Sequence, residues 1–233
     1  ITIDPVATTP NRVLAAPVNG WQFGRAVSTA GDLNGDGYID IVVGVRLGAI
    51  CESGEGVAYV YYGSATGIPA TPNVILQSNQ VDASFGYSVS NGGDVNGDGY
   101  GDLFVGAQTW ESEVAHDREG AVFVFHGSAT GITTTPSAIL EPNTTLTYMG
   151  YSVACAGDIN NDGYSDMVTG APFAAFPGFN EGAVYVFLGS PTGLNPIYHK
   201  RLERNINSAQ FGVSVTGLGD VNGDGYSDIA ASG

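Results

Sequence analysis

One nine-residue stretch, Asp32-Leu33-Asn34-Gly35-Asp36-Gly37-Tyr38-Ile39-Asp40, constrains this chain more than any other, because it occurs four times. It returns as Asp94–Asp102, Asp158–Asp166 and Asp220–Asp228, with the first aspartates 62, 64 and 62 residues apart. Self-similarity at a fixed period marks supersecondary units that bury their apolar faces on one another.

Positions 1, 3 and 5 of the stretch are Asp, Asn and Asp in every copy, position 6 is Gly, position 7 Tyr and position 9 Asp. Calcium takes six to eight hard oxygens, from alternating side chains and one backbone carbonyl at position 7, and the glycine at position 6 permits the sharp turn. The pattern predicts four Ca²⁺ per chain. The first loop would use Asp32, Asn34, Asp36, the Tyr38 carbonyl and Asp40, and the second Asp94, Asn96, Asp98, Tyr100 and Asp102. The third would use Asp158, Asn160, Asp162, Tyr164 and Asp166, and the fourth Asp220, Asn222, Asp224, Tyr226 and Asp228. The third loop alone has Asn161 where the others have Gly, at a position that supplies no ligand.

An EF-hand shares this opening but needs a glutamate at position 12 and a helix on each side. Position 12 here is Val43, Val105, Thr169 and Ala231, and the flanks Ile41–Val43 and Leu103–Val105 favour strand. The loops therefore close β-hairpins. A turn without metal is the plainer alternative, since Asp, Asn and Gly turn the chain unaided. Against it, each loop gathers three carboxylates whose charges repel at short range.

The chain has 233 residues and a formal charge of −16, and twelve of its 23 acidic residues are loop aspartates. Four Ca²⁺ would halve that charge to −8. The remaining acidity and the seven scattered basic residues argue against nucleic acid or an anionic membrane as partner. No apolar run reaches the roughly 18 residues of a transmembrane span. No signal peptide is visible, and the missing initial Met suits a mature or trimmed chain. Loops of this kind work in millimolar calcium, which predicts an extracellular or cell-surface setting. Cys155 sits in an apolar stretch and reads as a small core residue; a bridge to Cys51 is the lesser alternative.

Phe23-Gly24 returns as Phe85-Gly86, Met149-Gly150 and Phe211-Gly212, nine residues before each loop. Strands of small residues follow: Gly24 to Thr29, Gly86 to Ser90, Gly150 to Ala154 and Gly212 to Thr216. A second strand after each loop ends in Gly44-Val45-Arg46, Gly106-Ala107-Gln108 or Gly170-Ala171-Pro172. Gly56 to Tyr62, Gly120 to Phe125 and Gly182 to Phe187 are apolar on both faces, so both faces should be covered. Turns at Gly63–Gly67, Gly127–Gly131 and Gly189–Gly193 lead to closing strands at Thr71–Leu76 and Thr135–Leu140, and Thr9–Leu14 parallels these. No segment has a helical period.

Four antiparallel strands repeated radially make a β-propeller. Phe-Gly, the acidic loop and then Gly-Ala-Pro resemble the FG-GAP repeat, and the chain resembles the propeller of integrin α-subunits and their bacterial and secreted relatives. The fold expected is all-β, a partial propeller of about four blades. Residues 1–20 form the closing strand of a preceding blade, 21–82, 83–146 and 147–208 the first three blades, and 209–233 a truncated fourth. The seven blades that the resemblance implies need roughly 430 residues at this period. The chain thus reads as part of a larger propeller, or as one that closes by pairing as a homodimer, which would cover an open apolar face.

Alternate connections of such blades share a side, so the acidic loops should lie with the uniform Gly-Ser turns. The variable connections, 46–55, 108–119 and 172–181 with 17–22, 78–84 and 142–148, should form the opposite face. Resemblance to integrins places ligand binding, of protein or glycan, on that opposite face. Its aromatic candidates are Trp21, Trp110, His116, Phe173, Phe176 and Phe179, which equally suit plugs between blades. No Gly-x-Ser-x-Gly, His-Glu-x-x-His or His pair with metal-ligand spacing is present, so no enzyme is expected. Propellers of polysaccharide lyases and FG-GAP units beside a secreted phospholipase keep catalysis open as an alternative, as does a purely architectural role.

Overall fold

The computed structural model describes residues 12–15, 20–112, 117–176 and 178–233. Fourteen strands and no helix are formed there. The first sheet holds β1 (Phe23–Gly31), β2 (Asp40–Val45), β3 (Val57–Tyr61) and β4 (Val74–Gln77), in that spatial order. The second holds β5 (Phe85–Gly93), β6 (Asp102–Ala107), β7 (Ala121–Phe125) and β8 (Ala138–Leu140). The third holds β9 (Ser152–Gly157), β10 (Asp166–Ala171), β11 (Ala183–Phe187) and β12 (Lys200–Glu203), again in order. β13 (Ser214–Gly219) and β14 (Asp228–Ser232) pair as a two-stranded sheet. Neighbours within every sheet run antiparallel. The expected strand over Thr9–Leu14 lies mostly outside the described residues; 12–15 carry none, and Leu14 packs against the first sheet.

Successive sheets stack face to face, which is the arrangement of propeller blades. β1, β5, β9 and β13 lie side by side, and their small side chains let them crowd together. Single parallel bridges stitch each sheet to the next: Gly56 to Phe85, Gly120 to Met149 and Gly182 to Phe211. Between the first two sheets, Val42, Val60 and Leu76 meet Phe85, Leu103 and Phe125. Phe85 stands edge-on to Phe123 at 5.1 Å, in the favoured aromatic geometry. Between the second and third, Phe104, Val124 and Leu140 meet Met149, Met167 and Phe187. All five residues of β3, β7 and β11 are buried, as their two-faced apolarity requires.

Both cysteines are free; Cys51 is exposed and Cys155 half-buried in the second core cluster. Among the described residues no helix is long and apolar enough to cross a membrane.

Candidate functional site: the acidic hairpin loops

Each acidic loop is the connection between the first and second strands of its sheet, and the four are built alike. The first aspartate turns back over the loop. Asp32 Oδ1 accepts the Asp36 N–H at 3.0 Å and Oδ2 the Gly37 N–H at 2.8 Å. Asp94, Asp158 and Asp220 accept the matching amides. The fifth-position carboxylate accepts the tyrosine N–H and the Asn side-chain amide, as Asp36 does from Tyr38 at 2.9 Å and Asn34 at 3.1 Å. Asp98, Asp162 and Asp224 repeat this with Asn96, Asn160 and Asn222. Position 4 needs a positive φ, which Gly35, Gly97 and Gly223 adopt freely. Asn161, at φ 59°, belongs to the residue type that best tolerates it.

The ninth aspartate does something its spacing did not reveal. Asp40 is fully buried and spans two turns, accepting the Leu33 N–H of its own loop at 2.9 Å and the Gly63 N–H of the Gly-Ser turn at 2.7 Å. Asp102 joins Val95 to Gly127, and Asp166 joins Ile159 to Gly189, in the same way. Asp228 accepts the Val221 N–H of its own loop in the same way. Burial pushes the Asp102 carboxyl up to about 7; the Val95 and Gly127 amides oppose the shift, and the Asp98 and Asp94 charges add to it. Asp40 and Asp166 are raised too, again chiefly by burial. Asp220, open to solvent, is lowered, first by the Gly225 amide.

The loops also latch onto one another. The Ser128 N–H of the second sheet's turn donates to Leu33 of the first loop, and Ser190 to Val95 of the second. The ring of Tyr100 lies so close over Gly35 that a β carbon there would come 2.6 Å from it, and Tyr164 covers Gly97 likewise. In the second and third loops the position-7 tyrosine thus packs its ring on the loop before it. Among the described residues no three His, Cys, Asp or Glu side chains are drawn together as a metal centre; the loop carboxylates face backbone amides. Even so the donor set suits a hard cation, being all oxygen, and a carboxylate oxygen that accepts one N–H keeps a further acceptor direction.

The variable connections gather at the opposite end. The Asp82, Ser84 and Phe85 N–H groups donate to Ser53, Gly54 and Glu55, joining the 46–56 and 78–85 connections. Of the aromatic candidates, Trp110 is a plug: it stands edge-on to Phe123 at 5.1 Å and its Nε1 donates to Glu141. Trp21 packs on the first sheet's cluster, and Phe176 on the second cluster beneath Arg201 at 3.9 Å. Phe173 and the exposed Phe179 instead share a cleft of about 600 Å³ with Leu146, Tyr148 and Asn180. His116 lies outside the described residues.

Sequence reasoning overlooked Glu55, Glu119 and Glu181, which are wholly buried at one position of the three sheets. Glu55 Oε1 accepts the Ile50 and Cys51 amides, and Glu119 Oε1 the amide and hydroxyl of Ser112, so these carboxylates hold the variable loops in shape. The signal was present as Glu-Gly before each two-faced apolar strand.

Stacked four-stranded antiparallel blades with acidic first hairpins define a β-propeller segment. The FG-GAP repeat profile matches residues 23–61, 85–125 and 149–187, and the chain belongs to the FG-GAP repeat family. It is 38% identical over 155 residues to integrin alpha-6 of Gallus gallus, covering 64% of this chain and 13% of that protein. Against integrin alpha pat-2 of Caenorhabditis elegans it is 38% identical over 221 residues, 87% of this chain and 17% of the relative. Against integrin alpha-PS3 of Drosophila melanogaster it is 35% identical over 163 residues, 67% of this chain and 14% of the relative. The chain thus spans less than a fifth of each of these relatives.

Proposed function

We propose that this chain is a non-enzymatic, extracellular recognition segment in which four Ca²⁺ stiffen the hairpins that join neighbouring blades, while the variable face contacts a protein ligand. The observation that carries the reading is the fourfold loop with its ninth aspartate: in three copies a fully buried carboxylate spans loop and turn beside two further aspartates. Burial pushes the ninth carboxyl up, the charges of the first- and fifth-position carboxylates add to that, and a divalent cation would offset their repulsion. Asp, Asn, Asp and Asp at positions 1, 3, 5 and 9, with the Tyr38, Tyr100, Tyr164 and Tyr226 carbonyls, are the ligands proposed. Likeness to integrin α-subunits supports an adhesive role at the cell surface.

Binding to the folded state alone couples stability to calcium by mass action. Native mass spectrometry in millimolar calcium, and again after chelation, is the test. Four Ca²⁺ per chain, lost with a fall in Tm on chelation, is the expected result; a chain that binds no calcium overturns the reading. The same spectra count chains per particle and so test the pairing of two copies.

A further inference from the structure

The variable face holds an arrangement that the calcium reading does not use. The Arg25 guanidinium lies 4.1 Å from the centroid of the Tyr87 ring, and that of Arg46 lies 5.4 Å from the same centroid. The two Cζ atoms are therefore at most 9.5 Å apart. Among the described residues neither arginine pairs with a carboxylate, and Arg46 Nε is buried without a hydrogen-bond partner. This is unexpected in a chain of formal charge −16 with only seven basic residues. Two like charges on one aromatic ring repel each other, and an anion bound to both would offset that.

Arg46 opens into a cleft of about 380 Å³ between the first and second sheets, with Arg118 on another wall and Asp82 and Glu111 also lining it. Arg118 carries an exposed partner, Asp117, at 3.6 Å. The cleft's hydroxyls are already engaged, Thr109 Oγ1 donating to the Asp82 carbonyl and lying 3.0 Å from Ser84 Oγ. Arg118 also donates to the Tyr148 hydroxyl, so Arg46 is the cleft's free donor, with Arg25 beside it on the same Tyr87 ring. A guanidinium seated over a ring keeps N–H groups in a fork that matches a carboxylate.

We propose that Arg25 and Arg46, seated on Tyr87, bind a side-chain carboxylate on an acidic peptide segment of a protein partner. Two features favour a peptide over a polyanion such as a sulfated glycan. Asp82, Glu111 and Asp117 stand close enough to repel a ligand with several charges. Leu47 and Val81 line the cleft with exposed apolar surface, 38% and 52%, which suits an apolar residue beside the acid. The proposal rests on the variable face being the recognition face.

The test is an NMR titration of the calcium-loaded chain with blocked acetyl-Ala-Leu-Glu-Ala-amide and with the same peptide carrying Gln for Glu. Saturable shifts around the cleft are expected with the Glu peptide and at least tenfold weaker binding with the Gln peptide. Arg46→Gln should weaken the Glu peptide about tenfold, the scale of one lost charge-assisted bond. Arg25→Gln, on an exposed side chain that cannot unfold the protein, should weaken it as well. Equal binding of both peptides, binding of neither, or indifference to both substitutions overturns the site. Tighter binding of a heparin disaccharide overturns the peptide as ligand. Calcium stoichiometry, measured in the same samples, separates failure of this site from failure of the calcium reading.

Discussion

Gly170 of β10 rests against the carbonyl of Gly212 in the next unit, so closely that a β carbon on Gly170 would come 2.7 Å from the Gly212 carbonyl carbon. Gly44 meets Gly86 and Gly106 meets Gly150 in the same way. The glycine that opens Gly-Ala-Pro and the glycine of the following Phe-Gly are thus the two sides of a single inter-blade contact. The Ser152 hydroxyl beside Gly170 could turn away, but the Gly212 backbone cannot. Gly170→Ala should cost about 1–3 kcal/mol or more, the range of overpacked cores. Denaturant unfolding at fixed calcium checks it, and an unchanged midpoint would mean that the blades slide apart at no cost.

Asp102 and Asp98 belong to one loop but should respond differently to neutralisation. Asp102 is fully buried and holds the Val95 and Gly127 amides, whereas Asp98 is exposed. In saturating calcium, Asp102→Asn should be the more damaging, by about 1–3 kcal/mol, because an amide NH₂ faces a backbone donor and a dry ligand is lost. In excess chelator the order should reverse, since Asn removes a buried charge that no cation then compensates. Paired melting curves of the two variants, with and without calcium, decide it. The same order in both conditions would assign Asp102 a purely structural role.

Much of this was legible from residue patterns. The period, the antiparallel blades and the burial of β3, β7 and β11 follow from the repeated loop and the two-faced apolar runs, because each reports a local rule. What escaped depends on which partner the fold brings up, at separations that no local rule gives. Tyr100 covers Gly35 of the loop before it, and nothing in its own nine residues announces that partner. Asp40 reaches Gly63 across 23 residues. The repeated Glu-Gly does not say that Glu55 is buried, since burial of a carboxylate is decided by the amides folded round it. Trp110 could be told from a contact residue only once Phe123 stood against it.

His126 gives the chain an acid-sensitive joint. It occupies the place of Tyr62, whose hydroxyl accepts the Ile132 N–H of the next sheet at 3.0 Å; His126 Nε2 is buried with no such partner. Burial lowers its pKa below 6.5, while the Asp98 and Asp94 charges pull it up. Because the folded-state value is depressed, the unfolded chain takes the proton first, and stability is lost as pH falls through and below 6.5. In saturating calcium, Tm should fall between pH 7.5 and 5.5, and fall less in His126→Tyr, which copies Tyr62. Parallel slopes for the two proteins would clear His126 of any part in it.

The acidic loops should release calcium as linked neighbours rather than one by one. The Ser128 N–H of the second sheet's turn donates to the Leu33 carbonyl of the first loop at 3.0 Å, and Ser190 donates to Val95 of the second loop at 3.1 Å. Those turns are themselves held by Asp102 and Asp166, which accept the Gly127 and Gly189 N–H groups. Loss of a cation from one loop would therefore loosen the turn that braces the loop before it, the nearest-neighbour coupling of a repeat array. During chelator titration, hydrogen exchange across 32–40 and 94–102 should quicken together, and Asp102→Asn should quicken exchange in both. Exchange that rises across 94–102 alone would mean that each loop holds its ion independently.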